Sequence, residues 1–162
     1  VCSPLRVAAA VELLIAVPPF PNDTKAARAA LPRLVPHADA ATGASRAAAL
    51  VQGLATGDGA LLSAAPDDVL HVPYRRAHIY GYDAVVAAAK DAGAFGATLS
   101  GAGSAILAVA PRERAPDVGT AMLCAWRSQG VNAELIRRPE TVSGAVVSKG
   151  FRTLQSVGTE KP

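Results

Sequence analysis

The sequence is poor in cysteine, in aromatic residues and in long apolar segments. Its two cysteines, Cys2 and Cys124, are too few and too far apart for a disulfide framework or a zinc site, which favours a reducing cytoplasm. Aromatic residues make up 4% of the chain, so closely packed helices are favoured over a large aromatic pocket. No apolar run approaches the roughly 20 residues that span a bilayer, and we therefore expect a soluble protein without a membrane partner.

A strong charge of one sign is also lacking. The 16 lysines and arginines against 13 acidic residues give a net charge of +3. The basic residues are scattered and are not interleaved with aromatic residues, so we expect no nucleic-acid partner. His71 and His78 are seven positions apart with no third ligand in view, and we expect no metal site. There is no Ser-His-Asp pattern, no cysteine-based nucleophile and no Walker sequence.

The order of apolar and helical segments predicts a single α+β domain. We expect strands at residues 13–17, 95–99, 105–109 and 131–136, with a weak edge strand at 142–148. We expect helices at residues 25–31, 40–55, 60–65, 82–92 and 114–129, and a further helical turn that opens at 66–68. With the helices after the first strand treated as insertions, this is the ferredoxin-like split βαβ plan: one antiparallel sheet of four strands, with helices over one face. The domain is expected at 11–148, after an irregular lead-in at 1–10 and before a frayed tail at 149–162.

A glycine-rich turn joins two of the predicted strands. Its residues are Ser100, Gly101, Ala102 and Gly103. Glycine adopts positive φ without strain, as a tight reversal between antiparallel strands usually requires. Successive glycines also leave backbone N–H groups uncovered, and such a concavity can bind an anion. The residues alone leave both interpretations open, a plain hairpin turn and an anion-binding turn.

Two segments that contain arginine are the other candidates for a site. Thr24 and Arg28 belong to a helix that begins soon after the first strand, where N–H groups and the helix dipole favour an anion and an arginine can clamp a carboxylate. His71 and Arg75 lie around Pro73 in a segment that we expect to be an irregular loop, because proline disfavours helix at the residue before it. Neither segment is expected to need an arginine for its own folding. A capped helix with a solvated arginine, and an ordinary connector, remain the alternative interpretations.

Four segments then follow one another along the chain: Thr24-Lys25-Ala26-Ala27-Arg28, Ser45-Arg46-Ala47-Ala48, His71-Val72-Pro73-Tyr74-Arg75 and the glycine turn. In this order they resemble the C-terminal half of the homoserine kinases, a family of the GHMP kinase superfamily. The resemblance runs from about residue 13 to about residue 148. The glycine turn is shared by many members of the superfamily, whereas the two arginine segments are typical of homoserine kinases in particular.

The resemblance implies a kinase that transfers the γ-phosphoryl group of ATP to L-homoserine, giving O-phospho-L-homoserine in threonine biosynthesis. It implies substrate binding by Arg28 and Arg75, which would hold the carboxylate, together with Thr24 and His71. It places the turn Ser100, Gly101, Ala102 and Gly103 near the transferred phosphoryl group, and it assigns no catalytic residue to this half. ATP and Mg²⁺ would be bound mainly by the N-terminal half. A homodimer is compatible with the resemblance.

The chain departs from the family pattern in three places. Gly43 stands where the family tends to carry asparagine, so a polar contact is expected to be lost. Ser104 replaces a common proline after the glycine turn, and we expect it to loosen the turn slightly. The phosphate loop of the superfamily, of the Pro-x-x-x-Gly-Leu-Gly-Ser-Ser type, does not occur in the sequence, which begins with Val1. We therefore interpret the chain as a fragment that does not turn over alone.

Two alternatives remain open at this point. Another small-molecule kinase of the superfamily, such as mevalonate kinase, would share the glycine turn but should not need both arginine segments. A non-catalytic amino-acid-binding module of ferredoxin-like plan is favoured by the missing phosphate loop and disfavoured by the arginine segments. A reading frame that continues upstream of Val1 into a Gly-Leu-Gly-Ser-Ser loop would decide for a kinase.

Overall fold

Four strands form one antiparallel sheet in the computed structural model, which describes residues 5–138, 148–149 and 152–153. The strands are β1 (Val11–Val17), β2 (Gly96–Leu99), β3 (Ile106–Pro111) and β4 (Glu134–Arg138), in the order β2-β3-β1-β4. All neighbouring pairs are antiparallel, which confirms the predicted sheet and the ferredoxin-like plan. Strand β4 begins three residues later than predicted, because the N–H of Val131 still donates to the Trp126 carbonyl at the end of the preceding helix.

Six helices accompany the sheet within residues 5–138. They are α1 (Thr24–Ala29), α2 (His37–Thr56), α3 (Gly59–Ala64), α4 (Val72–Arg75), α5 (Tyr82–Asp91) and α6 (Ala115–Arg127). A short antiparallel pair, β5 (Ser148–Lys149) and β6 (Arg152–Thr153), follows the sheet. The predicted edge strand at 142–148 and the predicted tail at 149–162 otherwise lie outside the described residues. In the part of the chain that the structure describes, no helix is both long and apolar enough to cross a membrane.

Helices pack on both faces of the sheet, where the sequence predicted one covered face. Side chains alternate between the faces of a strand, so Leu14 of β1 faces α5 and α6 while Val11 faces the other way. The main core lies between the sheet and the pair α5 and α6; its largest fully buried side chains include Trp126, Ile106 and Met122. On the opposite face, the inserted helices α2 and α3 contribute Leu54 and Leu62 to a second cluster with Val11 and Val109. The insertion therefore covers one end of the second face.

The segment around Pro73 is helical, so the predicted irregular loop is wrong. Helix α4 is followed directly by a 3-10 turn at Arg76–His78. Pro73 lies in the first turn of α4, where its missing N–H removes no helical hydrogen bond, and Val72 is helical in spite of the proline that follows it. The helical turn predicted at 66–68 is absent. Asp68 instead accepts hydrogen bonds from the N–H groups of Leu70 and His71, just before α4 begins.

The buried position of Tyr82 is expected to make the stability of the fold depend on pH in the alkaline range. Burial raises the pKa of Tyr82 above its ordinary value of 10.0, and a hydrogen bond with Thr98 opposes part of that shift. Above about pH 10 the folded state therefore retains the Tyr82 proton that the unfolded state has lost. The contribution of the protonated Tyr82 to stability is complete below that pH and declines as the pH rises above it. We expect urea unfolding at pH 8 and pH 11 to show a steeper alkaline loss for the parent chain than for Tyr82→Phe, by up to about 1.4 kcal/mol per pH unit. Equal losses in both chains would contradict this.

Candidate functional site

The sheet topology brings the glycine turn next to the segment that leads into α1. Strand β1 is antiparallel to β3 and pairs Ala16 with Ile106, so the end of β1 lies beside the start of β3. The turn that precedes β3 is therefore adjacent to residues 18–23, which follow β1. The strand order thus places the glycine turn beside residues 18–23, and the candidate site lies around these two segments.

The glycine turn is closed by its own backbone. The N–H of Gly103 donates to the Ser100 carbonyl at 3.1 Å, and the N–H of Ser100 donates to the Ala105 carbonyl at 2.9 Å. Gly101 has φ +62° and Gly103 has φ +90°, so both glycines use the left-handed region. These turn bonds leave the N–H groups of Gly101 and Ala102 without a backbone acceptor among the described residues. The turn is thus a tight hairpin that still offers two donors.

The first turn of α1 is closed to an outside anion by its own cap. Asp23 accepts hydrogen bonds from the N–H groups of Lys25 and Ala26 at 2.8 and 3.1 Å, as expected for an N-cap aspartate. Thr24 is the first residue of the helix and is exposed. The start of this helix therefore carries its own negative group, and the N–H groups of Lys25 and Ala26 are already engaged.

Arg75 reaches across from α4 to the end of α1. Its side chain is largely buried, and its Nε donates to the Ala27 carbonyl at 3.0 Å. The last carbonyls of a helix have no partner within the helix, so this bond satisfies one of them. The expectation that neither arginine segment needs its arginine for folding stays a prediction, and for Arg75 it must be weighed against this contact, which joins residues 48 positions apart in the sequence.

The guanidinium of Arg75 has no acidic partner among residues 5–138. The residue is 9% exposed, and none of the ion pairs in this range includes it. No buried side-chain nitrogen or oxygen in the described chain lacks a hydrogen-bond partner, so its two terminal nitrogens reach solvent. Arg28 follows Ala27 directly, is exposed, and likewise makes no ion pair within that range. Two arginines on neighbouring elements therefore carry positive charge that this part of the chain does not neutralise.

His71 pairs with Asp68 at the start of α4. Its Nδ1 lies 2.9 Å from Asp68 Oδ2, and both side chains are partly exposed. The contact orients the imidazole and leaves its Nε2 without a partner among the described residues. No group of three or more potential metal ligands occurs in the described part of the chain.

Two of the departures noted in the sequence have structural explanations. A Cβ on Gly43 would lie 2.6 Å from Leu70 Cδ1, so the leucine occupies the space of the side chain that the family tends to carry there. The hydroxyl of Ser104 donates to the Phe20 carbonyl at 2.8 Å. This bond ties the end of the turn to the segment after β1, so the expectation that serine loosens the turn is not supported.

Sequence reasoning missed Asn22 as a site residue. It precedes Asp23, whose side chain caps α1. The Asn22 Nδ2 instead donates to the Ala102 carbonyl at 2.5 Å, across 80 residues of sequence. A donor side chain five positions after an apolar strand was the available signal, but its acceptor depends on the strand order.

The comparisons with known proteins agree on one family. The protein-family profile described as GHMP kinases C terminal matches residues 48–128, which is half of the chain. The chain is similar to proteins named homoserine kinase from Picosynechococcus sp. (48% identity over 74% of this chain and 39% of that protein) and Nostoc punctiforme (44% identity over 75% and 40%). A crystal structure of homoserine kinase from Cytophaga hutchinsonii superimposes with a TM-score of 0.78 at 31% identity, over 82% of this chain and 42% of that one. The chain thus spans about two fifths of the length of these relatives.

Proposed function

The chain belongs to the GHMP kinase C-terminal family, and on that premise we propose that it is the substrate-binding C-terminal part of a homoserine kinase. The reaction is transfer of the γ-phosphoryl group of ATP to the side-chain hydroxyl of L-homoserine. The proposal includes threonine biosynthesis as the pathway, a cytoplasmic location, and a domain at residues 11–148 between a lead-in and a tail.

The single observation that supports the proposal most directly is the arrangement of the Arg75 guanidinium. The residue is 9% exposed, its Nε is held by the neutral Ala27 carbonyl, and its two terminal nitrogens reach solvent without an acidic partner among residues 5–138. A carboxylate that accepts two parallel hydrogen bonds from the terminal nitrogens would supply the missing charge. An α-amino acid substrate such as L-homoserine brings that carboxylate.

The proposed roles of the other site residues follow from the position of a carboxylate bound to Arg75. Arg28, next to Ala27 on α1, would contact the same carboxylate from the solvent side. Thr24 and His71 would contact the substrate at the rim of the same cleft, with the imidazole held by Asp68. Holding the carboxylate at these residues would direct the substrate hydroxyl toward the glycine turn.

The glycine turn would act on the transferred phosphoryl group. The N–H groups of Gly101 and Ala102 are donors without an intramolecular acceptor among the described residues, and fixed donors stabilise charge that develops in a transition state. ATP supplies the phosphoryl group and Mg²⁺ neutralises its oxygens in this class of reaction. The superfamily's phosphate loop is not in this sequence, so we assign both mainly to the part of the relatives that this chain does not span.

The test is a chimera in which this chain replaces the matching 39% of the Picosynechococcus homoserine kinase. We expect ADP formation by the chimera that depends on L-homoserine, and none above background from the 162-residue chain alone, because the chain has no cradle for a triphosphate. Mevalonate is the control substrate and should not support turnover. Turnover with mevalonate in place of L-homoserine would decide for another kinase of the superfamily, and a chimera that binds L-homoserine without turnover would favour the amino-acid-binding module.

A further inference from the structure

Two side-chain hydrogen bonds hold the glycine turn onto the segment that leads to the arginines. Asn22 donates to the Ala102 carbonyl at 2.5 Å, and Ser104 donates to the Phe20 carbonyl at 2.8 Å. Both bonds are partly buried, and they run in opposite directions between the same two stretches of chain. Together they link each stretch to the other at two points.

The turn needs such support, because its own backbone is permissive. Gly101 and Gly103 have more accessible backbone conformations than any other residue type, and two backbone bonds, from Gly103 to Ser100 and from Ser100 to Ala105, close the turn. The two unused N–H groups point at a fixed place only while the turn keeps its shape. The Asn22 hydrogen bond holds the middle of the turn, and the Ser104 hydrogen bond holds its end.

The same segment connects the turn to the arginine pair. Ala27, whose carbonyl accepts the Arg75 bond, lies five positions after Asn22. At 1.5 Å per helical residue this is about 8 Å along the chain. The tethers at Asn22 and Ser104 and the bond from Arg75 therefore fix two separate elements, the glycine turn and α4, to one short stretch.

We infer that Asn22 and Ser104 are positioning residues, which hold the donors of the glycine turn in register with the arginine pair. The effect on turnover that this implies rests on the proposed function, whereas the effect on the turn itself does not. Loss of either tether should make the turn open more often without weakening the rest of the fold. The arginines should still bind the carboxylate, so the loss should fall on kcat and not on KM.

The first arm of the test is amide hydrogen exchange in the full 162-residue chain. We expect the Gly103 amide to exchange about tenfold faster in Asn22→Leu and in Ser104→Ala than in the parent chain, with sheet amides unchanged. Ser128→Ala is the matched control, because Ser128 also donates a 2.8 Å bond to a carbonyl, that of Ala125, far from the turn in sequence. Unchanged Gly103 exchange in both tether variants, or an equal acceleration of all amides, would overturn the inference.

The second arm uses the chimera and separates a positioning role from a purely structural one. We expect kcat to fall about three- to tenfold in Asn22→Leu and Ser104→Ala, with KM for L-homoserine within about twofold of the parent value. Ser104→Thr keeps the hydroxyl and should restore kcat. A rise in KM at constant kcat would overturn the inference. An inactive parent chimera would count against the proposed function alone, because the exchange arm decides the tethers without it.

Discussion

Arg75→Ala in the chimera should raise KM for L-homoserine about ten- to a hundredfold while KM for ATP stays nearly unchanged. The variant removes a charge-assisted pair with the carboxylate, an interaction of about 1.5–3 kcal/mol, and each 1.4 kcal/mol corresponds to a factor of ten. Arg28 is exposed, so Arg28→Ala should lie at the lower end of this range. Steady-state kinetics with each substrate varied in turn measures both effects.

The structural role of Arg75 requires its own control. Without its side chain the Ala27 carbonyl loses its hydrogen bond, and we expect about 1–3 kcal/mol lower stability by urea unfolding. Arg28→Ala should leave stability unchanged within about 0.5 kcal/mol, so it reports binding alone. Arg33→Ala, at an exposed arginine five residues further on, should change neither stability nor KM.

Lysine at position 75 should rescue KM only in part, because a point charge cannot reproduce two parallel hydrogen bonds. Equal KM values for the parent, Arg28→Ala and Arg33→Ala would contradict a role for Arg28.

Among single glycine-to-alanine substitutions in the turn, Gly103→Ala should cause the largest loss of stability. A Cβ at this position would lie 2.5 Å from Cδ1 of Ile79, which is 4% exposed, and the backbone has φ +90°. Positive φ costs a non-glycine residue about 1–2 kcal/mol, and the overlap with a packed side chain adds about 1–3 kcal/mol. We expect a loss of about 2–5 kcal/mol in unfolding free energy, measured by urea unfolding of the chain, and turnover of the chimera should fall with it.

Gly101→Ala is the matched control, because a Cβ there meets nothing within 4 Å while φ is also positive, at +62°. It should lose about 1–2 kcal/mol from the backbone conformation alone. Ile79→Val deletes the Cδ1 atom that the new methyl group would strike, so Ile79→Val in the Gly103→Ala background should recover part of the loss. Equal losses for the two glycine variants, without recovery, would show that packing against Ile79 is not the cause.

The parts of the fold that sequence predicted are those with local causes. Apolar strands such as β1 and the tight turn at Gly101 and Gly103 each follow from a few adjacent residues, and the structure confirms them. The helical course of α4 was missed because the rule applied to the residue before Pro73 is a bias that tertiary packing can overcome. Here the proline occupies a first-turn position, which tolerates it.

The contacts that build the site could not be predicted in the same way. Arg75 with Ala27, Asn22 with Ala102 and Ser104 with Phe20 join residues 48, 80 and 84 positions apart. The last two depend on β1 lying beside β3, and local pattern does not specify that order. Sequence resemblance selected the arginines and the turn as candidates, whereas the tethers between them emerge only from the three-dimensional arrangement.

Carboxylate binding by Arg28 and Arg75 is tested most directly by comparing two substrates that differ only by the carboxylate. L-Homoserine and 3-aminopropan-1-ol both present an amine and a primary hydroxyl, but only the first has the group that Arg28 and Arg75 are proposed to hold. We predict that the parent chimera prefers L-homoserine in kcat/KM by about a thousandfold or more, and that the Arg28→Ala/Arg75→Ala double variant reduces this preference to about tenfold or less. An undiminished preference in a folded double variant would place the carboxylate elsewhere and contradict its binding by the two arginines.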